Sequence, residues 1–329
     1  MTLTLDSTAS QLFAVPAPLP LMLTARIPHA DREIADGRLI RARRGIVTPA
    51  HLSSALKPWE RYTARVHAVS MTHPGAVFCL ESAAAAIGLP VFGEPRDIHV
   101  LDTPGATSRL SGGVRLHTTA GDRVITDLGG VLVTSVRDTA IDIARHRHGA
   151  LALAVADRAL RLDPNLTVEV LVAHNESRIS KRGRRLARWP LHRATPLAES
   201  PLESVSRAAI EWLGFDEPEL QKEFRSDGAV DRCDMWWERA RVLGEADGDL
   251  KYDGSLQPSA DAIRKEKNRD RRLRSHASAV THWGWADVVQ VTPLRAALRH
   301  AGLRQRTTES SLELHTLSSL LAHPTRRTP

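Results

Sequence analysis

Only two cysteines, Cys79 and Cys233, occur in 329 residues. That is too few to staple a chain of this size, and it fits a reducing, cytoplasmic setting. Aromatic residues make up just 4%, with Trp (7) outnumbering Phe (5) and Tyr (2). No apolar run approaches the ~20 residues that cross a bilayer. The N-terminus has no basic region followed by an apolar stretch, so no secretory leader is expected. The phosphate loop GxxxxGK[ST], a GxGxxG after a strand, HExxH and GxSxG are all missing. Asp247-Gly248-Asp249 with Asp253 fails as a calcium loop, because Tyr252 stands where Gly is required and Pro258 where Glu is required. No histidines pair with the cysteines at ligand spacing, and both thiols read as small core residues. A membrane protein, a secreted disulfide scaffold and a zinc ribbon are thereby set aside.

Charge is present in quantity and unevenly placed. Lys and Arg number 45 against 38 Asp and Glu, a formal +7. Between Arg178 and Arg193 lie seven basic residues and no acid, and from Arg264 to Arg274 seven more against Glu266 and Asp270. The stretch between, 199–261, holds 16 acids against seven bases. Acids bracketed by basic blocks suit carboxylates that gather a divalent cation beside arginines that hold a polyanion. Solvated helix faces that happen to cluster are the plainer alternative.

Periodicity sketches the organisation. Residues 1–20 are small and Pro-rich, and read as a disordered N-terminus. A helical stretch from about Leu21 leads to Gly37 and to the alternating Leu39–Val47, which turns at Gly45 as a two-stranded ribbon would. Leu52–Met71 reads as helix broken near Pro58, Val77–Leu80 as a short apolar run, and Glu81–Ile87 as an alanine-rich helix closed by Gly88. Strands are expected at Ile98–Leu101, Gly113–His117 and Gly130–Val133, then helix over Val136–Ala144. Residues 150–175 read as helix stopping at Asp163-Pro164, and the basic segment 176–195 as helix or linker ending at Pro190 and Pro196. Ser200-Pro201-Leu202-Glu203 places Ser at the N-cap, Pro at N1 and Glu at N3 of a helix that stops at Gly214. Phe224–Ser226, Ala229–Trp237 and Arg241–Asp247 read as strands, with a charged turn at Glu238–Ala240. A charged helix at Asp261–His276, a strand at Val280–Trp283 and a last helix at Pro293–His300 follow; 304–329 read as a tail.

The acidic hairpin is the strongest chemical signal. Glu245 and Asp247 share a strand face, and a turn at Glu238–Ala240 brings Asp234 opposite them. Three carboxylates this close repel unless a cation lies among them, and Mg²⁺ or Mn²⁺ prefers such oxygens. Lys251 follows and is placed to stabilise charge at a scissile phosphate. An acidic turn at a solvent edge, with Asp247-Gly248 as a turn signal, is the other reading.

Glu203 in a helix, then Asp234, Gly244-Glu245-Ala246-Asp247-Gly248, Lys251-Tyr252 and later Trp283-Gly284-Trp285 resemble the PD-(D/E)XK nucleases. The branch they resemble is the very-short-patch-repair-like endonucleases, over about residues 196–300. Ser200–Arg207, Gly214-Phe215, Pro218-Glu219-Leu220-Gln221 and Glu266-Lys267-Asn268-Arg269 fit the same branch. The resemblance implies that Asp234 and Glu245 hold a cation, with Glu203 as a supporting ligand, and that the ion activates water against a phosphodiester. Asp247 stands where the superfamily usually has lysine, so either Lys251 takes that role or Asp247 is a further ligand. Glu203 has a helix-capping role in any case. Of the tryptophans, at least one of Trp236 and Trp237 belongs to the core, and Trp283 and Trp285 read as packing. Gly37-Arg38-Leu39-Ile40-Arg41 with Arg43-Arg44-Gly45-Ile46-Val47 resembles the winged helix of AbiE-type antitoxins, with Ile46 in place of the expected aromatic. Glu81-Ser82-Ala83-Ala84 with Gly88-Leu89-Pro90, and Val133–Asp142, are similar to that family's next domain. This resemblance implies Arg41, Arg43 and Arg44 on a wing near phosphate.

The expected architecture is therefore α+β and multidomain: a winged helix-turn-helix at 21–75, an α+β middle domain at 76–150, a helical basic connector at 151–195 and a restriction-endonuclease-like α/β domain at 196–303. The expected function is a DNA-binding, Mg²⁺- or Mn²⁺-dependent endonuclease, with Arg182, Arg184, Arg185, Arg264, Lys267 and Arg271 on the nucleic-acid backbone. The alternative is a non-catalytic DNA-binding regulator or antitoxin-like protein with a degenerate nuclease fold, with a cognate toxin or repair partner. An RNA target is a third possibility, since phosphate contacts alone do not distinguish it.

Overall fold

In a computed structural model the described residues are 4–5, 13–102, 107–119, 121–226, 228–247 and 260–322. They form a mixed α/β protein with three sheets and thirteen helices, in agreement with the α+β class. Two compact units divide the chain. One runs up to Arg147 and takes in Asp163–His192; the other holds His148–Leu162 and the chain from Arg193 on. The segment expected as one basic connector is therefore shared between the two units.

The first unit begins with β1 (Thr4–Leu5), β2 (Met22–Leu23), α1 (Ala30–Ala35), β3 (Leu39–Arg43) and β4 (Ile46–Pro49). The ribbon at 39–47 forms as expected. Gly45 takes φ 83° at its turn, and β4 is the centre of a three-stranded sheet ordered β2-β4-β3. Helices α2 (Ala50–Ala55) and α3 (Pro58–Thr72) meet at the break expected near Pro58, where the Glu60 carboxylate accepts the Lys57 N–H at 2.7 Å. Next come β5 (Val77–Phe78), α4 (Leu80–Ile87), β6 (Ile98–Leu101), β7 (Arg109–Ser111), β8 (Val114–His117), β9 (Val124–Asp127), β10 (Leu132–Thr134) and α5 (Val136–His146). The strands build a seven-stranded sheet ordered β1-β9-β10-β5-β6-β8-β7. Strands β7 and β9 escape a periodicity reading because both are short, β7 is exposed throughout and β9 is only partly buried.

Half of the expected disordered N-terminus, residues 1–3 and 6–12, lies outside the described residues, but its described parts are ordered. β1 pairs with β9, Val15 N–H bonds Ala86 O at 2.8 Å, and Leu19 is buried. Helix α6 (Gly149–Leu162) belongs to the second unit, whereas α7 (Val168–Ser177) and most of α8 (Arg184–Arg193) belong to the first. Pro190 does not end α8. It lies inside the helix and is buried with Ala187 and Leu191, so side-chain packing outweighs the one lost backbone bond.

In the second unit α6 packs along α9 (Pro201–Trp212), clamped by the buried pair of Asp157 and Arg207 at 3.1 Å. A four-stranded sheet follows from β11 (Glu219–Ser226), β12 (Ala229–Trp237), β13 (Val242–Ala246) and β14 (Ala279–Trp283), with α10 (Ala260–His276) between the last two. β11, β12 and β13 pair antiparallel and β13 pairs β14 parallel, so α10 is the crossover. Leu273 of α10 joins Cys233, Trp236 and Leu243 in a buried cluster. Elsewhere on the sheet, the Trp283 indole N–H reaches Ser206 Oγ of α9 at 2.8 Å, and its ring fills the space over Gly244. A Cβ at residue 244 would lie 2.5 Å from that ring.

Helices α11 (Trp285–Gln290), α12 (Thr292–His300) and α13 (Ser311–Ala322) complete the unit. Residues 304–322 are not a tail. Phe215 bridges Gln305, Ser310 N–H bonds Trp212 O at 2.8 Å, and α13 buries Leu314 and Leu317. The signal was there in the spacing of those two leucines, but the single turn they mark is too short for periodicity to register. Because the indole over Gly244 has little room to retreat, Gly244→Ala is expected to destabilise the protein by about 1–3 kcal/mol, seen as a lower midpoint in urea unfolding.

Candidate functional site

Four acidic residues come together where α9 meets the sheet. Ser200 caps α9 by accepting the Glu203 N–H at 3.1 Å. The Glu203 side chain does not close the expected capping box onto Ser200. Its Oε2 accepts the Glu199 N–H and the Gln221 side-chain amide, both at 2.9 Å, and the residue is only 5% exposed. Pairing of β11 with β12 passes from Leu220–Met235 to Lys222–Cys233 and skips Gln221 and Asp234, with Gln221 in the left-handed region at φ 54°. This interruption frees two side chains at once: Gln221 turns to Glu203, and Asp234 Oδ2 accepts the Ala246 N–H at 2.9 Å. On the next strand Glu245 is buried, with its carboxylate 3.2 and 3.4 Å from Arg269 Nη2 of α10. Asp247 continues the ladder through its N–H to Trp283 O at 2.9 Å, and its Oδ2 lies 3.0 Å from His282 Nδ1.

The electrostatics follow from this crowding. Burial, helped by the Glu203 and Asp247 charges, pushes the Asp234 carboxyl up to about 6, against the Ala246 N–H and Arg269. Burial and the neighbouring Asp234 and Asp247 push Glu245 up to about 7, with Arg269 opposing. Cys233, beside them, is pushed up to about 12, chiefly by burial, so it is a protonated core thiol and no ligand. The donors are all hard oxygens, the set that Mg²⁺ and Mn²⁺ favour. Among the described residues no three His, Cys, Asp or Glu side chains form a ready-made metal cage. Arg269 engages Glu245, and His282 engages Asp247.

The other sequence-derived positions fare differently. Lys251 lies outside the described residues, as does the Lys267 side chain. Arg264 and Arg271 are exposed on α10. Arg41 is exposed and pairs with Asp31 at 3.0 Å, while Arg43 is half-buried and donates to Gly112 O at 3.2 Å; Arg44 is exposed. Arg182 and Arg185 are exposed, whereas Arg184 is half-buried and donates to Arg178 O at 2.6 Å. Sequence reasoning missed Gln221, Arg269 and His282. Gln221 stands in the Pro218–Gln221 word that resembles the nuclease branch, but its contact with Glu203 depends on a break in strand pairing. Arg269 was within reach, because it lies one turn before the buried Leu273 and so on the sheet side of α10. His282 follows by strand alternation from the buried Trp283.

A carboxyl whose folded pKa is raised above its ordinary value binds its proton more tightly in the folded state. Its favourable contribution is complete at low pH and is lost as pH rises through the raised value. For Asp234 and Glu245 that window runs from about pH 4 to about pH 7. Without divalent cations the thermal midpoint should fall across this window, by the equivalent of roughly 1–3 kcal/mol. Glu245→Gln should flatten much of the fall, and an equal slope in wild type and variant would rule the explanation out.

The chain is similar to two proteins of Mycobacterium tuberculosis, the uncharacterized protein MT2308 of strain CDC 1551 / Oshkosh and the uncharacterized protein Rv2248 of strain ATCC 25618 / H37Rv. It is 33% identical to each over 193 residues, which cover 58% of this chain and 70% of the relative. No family model matches the chain, and no solved structure matches it. At this identity and coverage, the chain belongs to the family of these uncharacterized mycobacterial proteins.

Proposed function

We propose that this protein binds DNA and hydrolyses phosphodiester bonds with a divalent cation, Mg²⁺ or Mn²⁺, held at Asp234 and Glu245. The observation that carries the reading is the pair itself. A half-buried carboxylate, Asp234, and a buried one, Glu245, on adjacent strands are driven toward neutral pH by burial and by neighbouring acidic charges. Those charges are Glu203 and Asp247 on Asp234, and Asp234 and Asp247 on Glu245, and Arg269 contacts Glu245. A cation in place of protons is the arrangement that lets both ionise. When bound, such an ion supplies an activated water and positive charge at the phosphate.

In this reading the chain's own residues hold and shield the site. The Ala246 N–H fixes Asp234, while the Glu199 N–H and Gln221 fix Glu203. Arg269 covers the charge of Glu245 until a cation replaces it, and exposed Arg264 and Arg271 of α10 face the backbone phosphates. Asp247, in the position where lysine is usual, is drawn to His282 rather than to the other carboxylates. Wild-type protein with Mg²⁺ or Mn²⁺ should nick supercoiled plasmid. Asp234→Ala and Glu245→Ala should each lower the rate on the order of 10²-fold. Uncut plasmid under both metals, or an equally active Glu245→Ala, would overturn the proposal.

One contact favours a second reading, the non-catalytic DNA-binding regulator or antitoxin-like protein. The Arg269–Glu245 ion pair already neutralises one carboxylate from within the chain. That reading requires DNA binding that survives Glu245→Ala, with no cleavage under any metal, and leaves room for a toxin partner.

A further inference from the structure

The basic block at 178–193 does not act as one surface; the fold sorts its charges into two groups. Arg178 is buried beneath α5, where its guanidinium meets Asp142 and lies 2.6 Å from Asp138. Arg188 pairs with Glu176 at 2.9 Å, and Arg184 donates to Arg178 O. These cations hold the loop 178–183 between α7 and α8 in place. Arg145 of α5 holds it from beneath, with Nε on Asn175 Oδ1 at 2.8 Å and Nη1 on Ser180 O at 2.7 Å. Gly183 completes the clasp. It takes φ 69°, and a Cβ there would lie 2.1 Å from Arg145 O, so only glycine fits.

Lys181, Arg182 and Arg185 form the other group. All three are exposed, and among the described residues no carboxylate lies within ion-pair distance of them. Ile179, 74% exposed, and Leu186, 50% exposed, stand beside them. Elsewhere in this unit the wing-like ribbon offers less, since Arg41 and Arg43 already have partners. Three unneutralised cations on a pinned loop and the helix start that follows it are carried by backbone that loses little freedom on binding, which favours a polyanion with fixed charge spacing over an adaptable surface. Two apolar side chains give too little buried area to anchor a membrane.

We infer that Lys181 and Arg182 of the 178–183 loop, with Arg185 in the first turn of α8, form the first unit's docking surface for the phosphate backbone of double-stranded DNA. This rests on the DNA-binding reading above and names where that unit takes hold. The test uses the full chain in EDTA with a 30-base-pair duplex, read by fluorescence anisotropy across a salt series. A Lys181→Ala, Arg182→Ala, Arg185→Ala triple variant should keep its thermal midpoint and bind at least tenfold more weakly. Its slope of log K against log salt should shrink by about 2–3, at ~0.9 per phosphate contact. Gly183→Ala keeps every charge but not the loop shape, and should also weaken binding. An unchanged slope in the triple variant overturns the inference and leaves the function standing. So does a variant that loses binding to phosphatidylserine-containing vesicles but not to duplex. Wild-type protein that binds no duplex at all overturns both.

Discussion

The second unit is organised around the cost of burying like charges together. Asp234 and Glu245 are placed on adjacent strands at a depth where neither ionises at its ordinary pH. Only a rigid frame holds them there. The frame is visible: the Trp283 ring fills the gap over Gly244, the same indole is tied to Ser206 of α9, and Asp247 N–H extends the ladder to Trp283 O. Charge repulsion is thus held against packing. The same contacts that fix the strands set the distance between the carboxylates.

Much of this was legible in the sequence, and the failures have physical reasons. The hairpin at 39–47, the helix break near Pro58, the alanine-rich helix closed at Gly88 and the Ser200-Pro201 helix start were all readable, because each depends on local chemistry. The strands at Ile98–Leu101 and Ala229–Trp237 were readable from alternation. What could not be read depends on long-range pairing. Gln221 reaches Glu203 only because the β11–β12 ladder skips a pair, and His282 meets Asp247 only through the parallel pairing of β13 and β14. Residues 304–322 escape a sequence reading because the Leu314–Leu317 spacing is only one turn and the segment is tied down by backbone contacts to Phe215 and Trp212, far away in the chain.

Charge, so visible in composition, needed the structure to acquire meaning. Of the basic residues in the two blocks, Arg178, Arg269 and Arg272 face inward onto carboxylates and act as structural cations. A formal excess of +7 therefore overstates no general stickiness and understates a local one. The cations left over, on the 178–183 loop, at Arg185 of α8 and at the exposed Arg264 and Arg271 of α10, are those with a charge to offer a partner.

The central claim is that protons on Asp234 and Glu245 stand in for a cation. Calorimetric titration of Mn²⁺ at pH 6.5, in two buffers of different ionisation enthalpy, measures binding and proton release together. The account predicts binding accompanied by release of about one proton, with both lost in Asp234→Asn. Absence of binding in the wild-type protein, or binding that releases no proton, would contradict it.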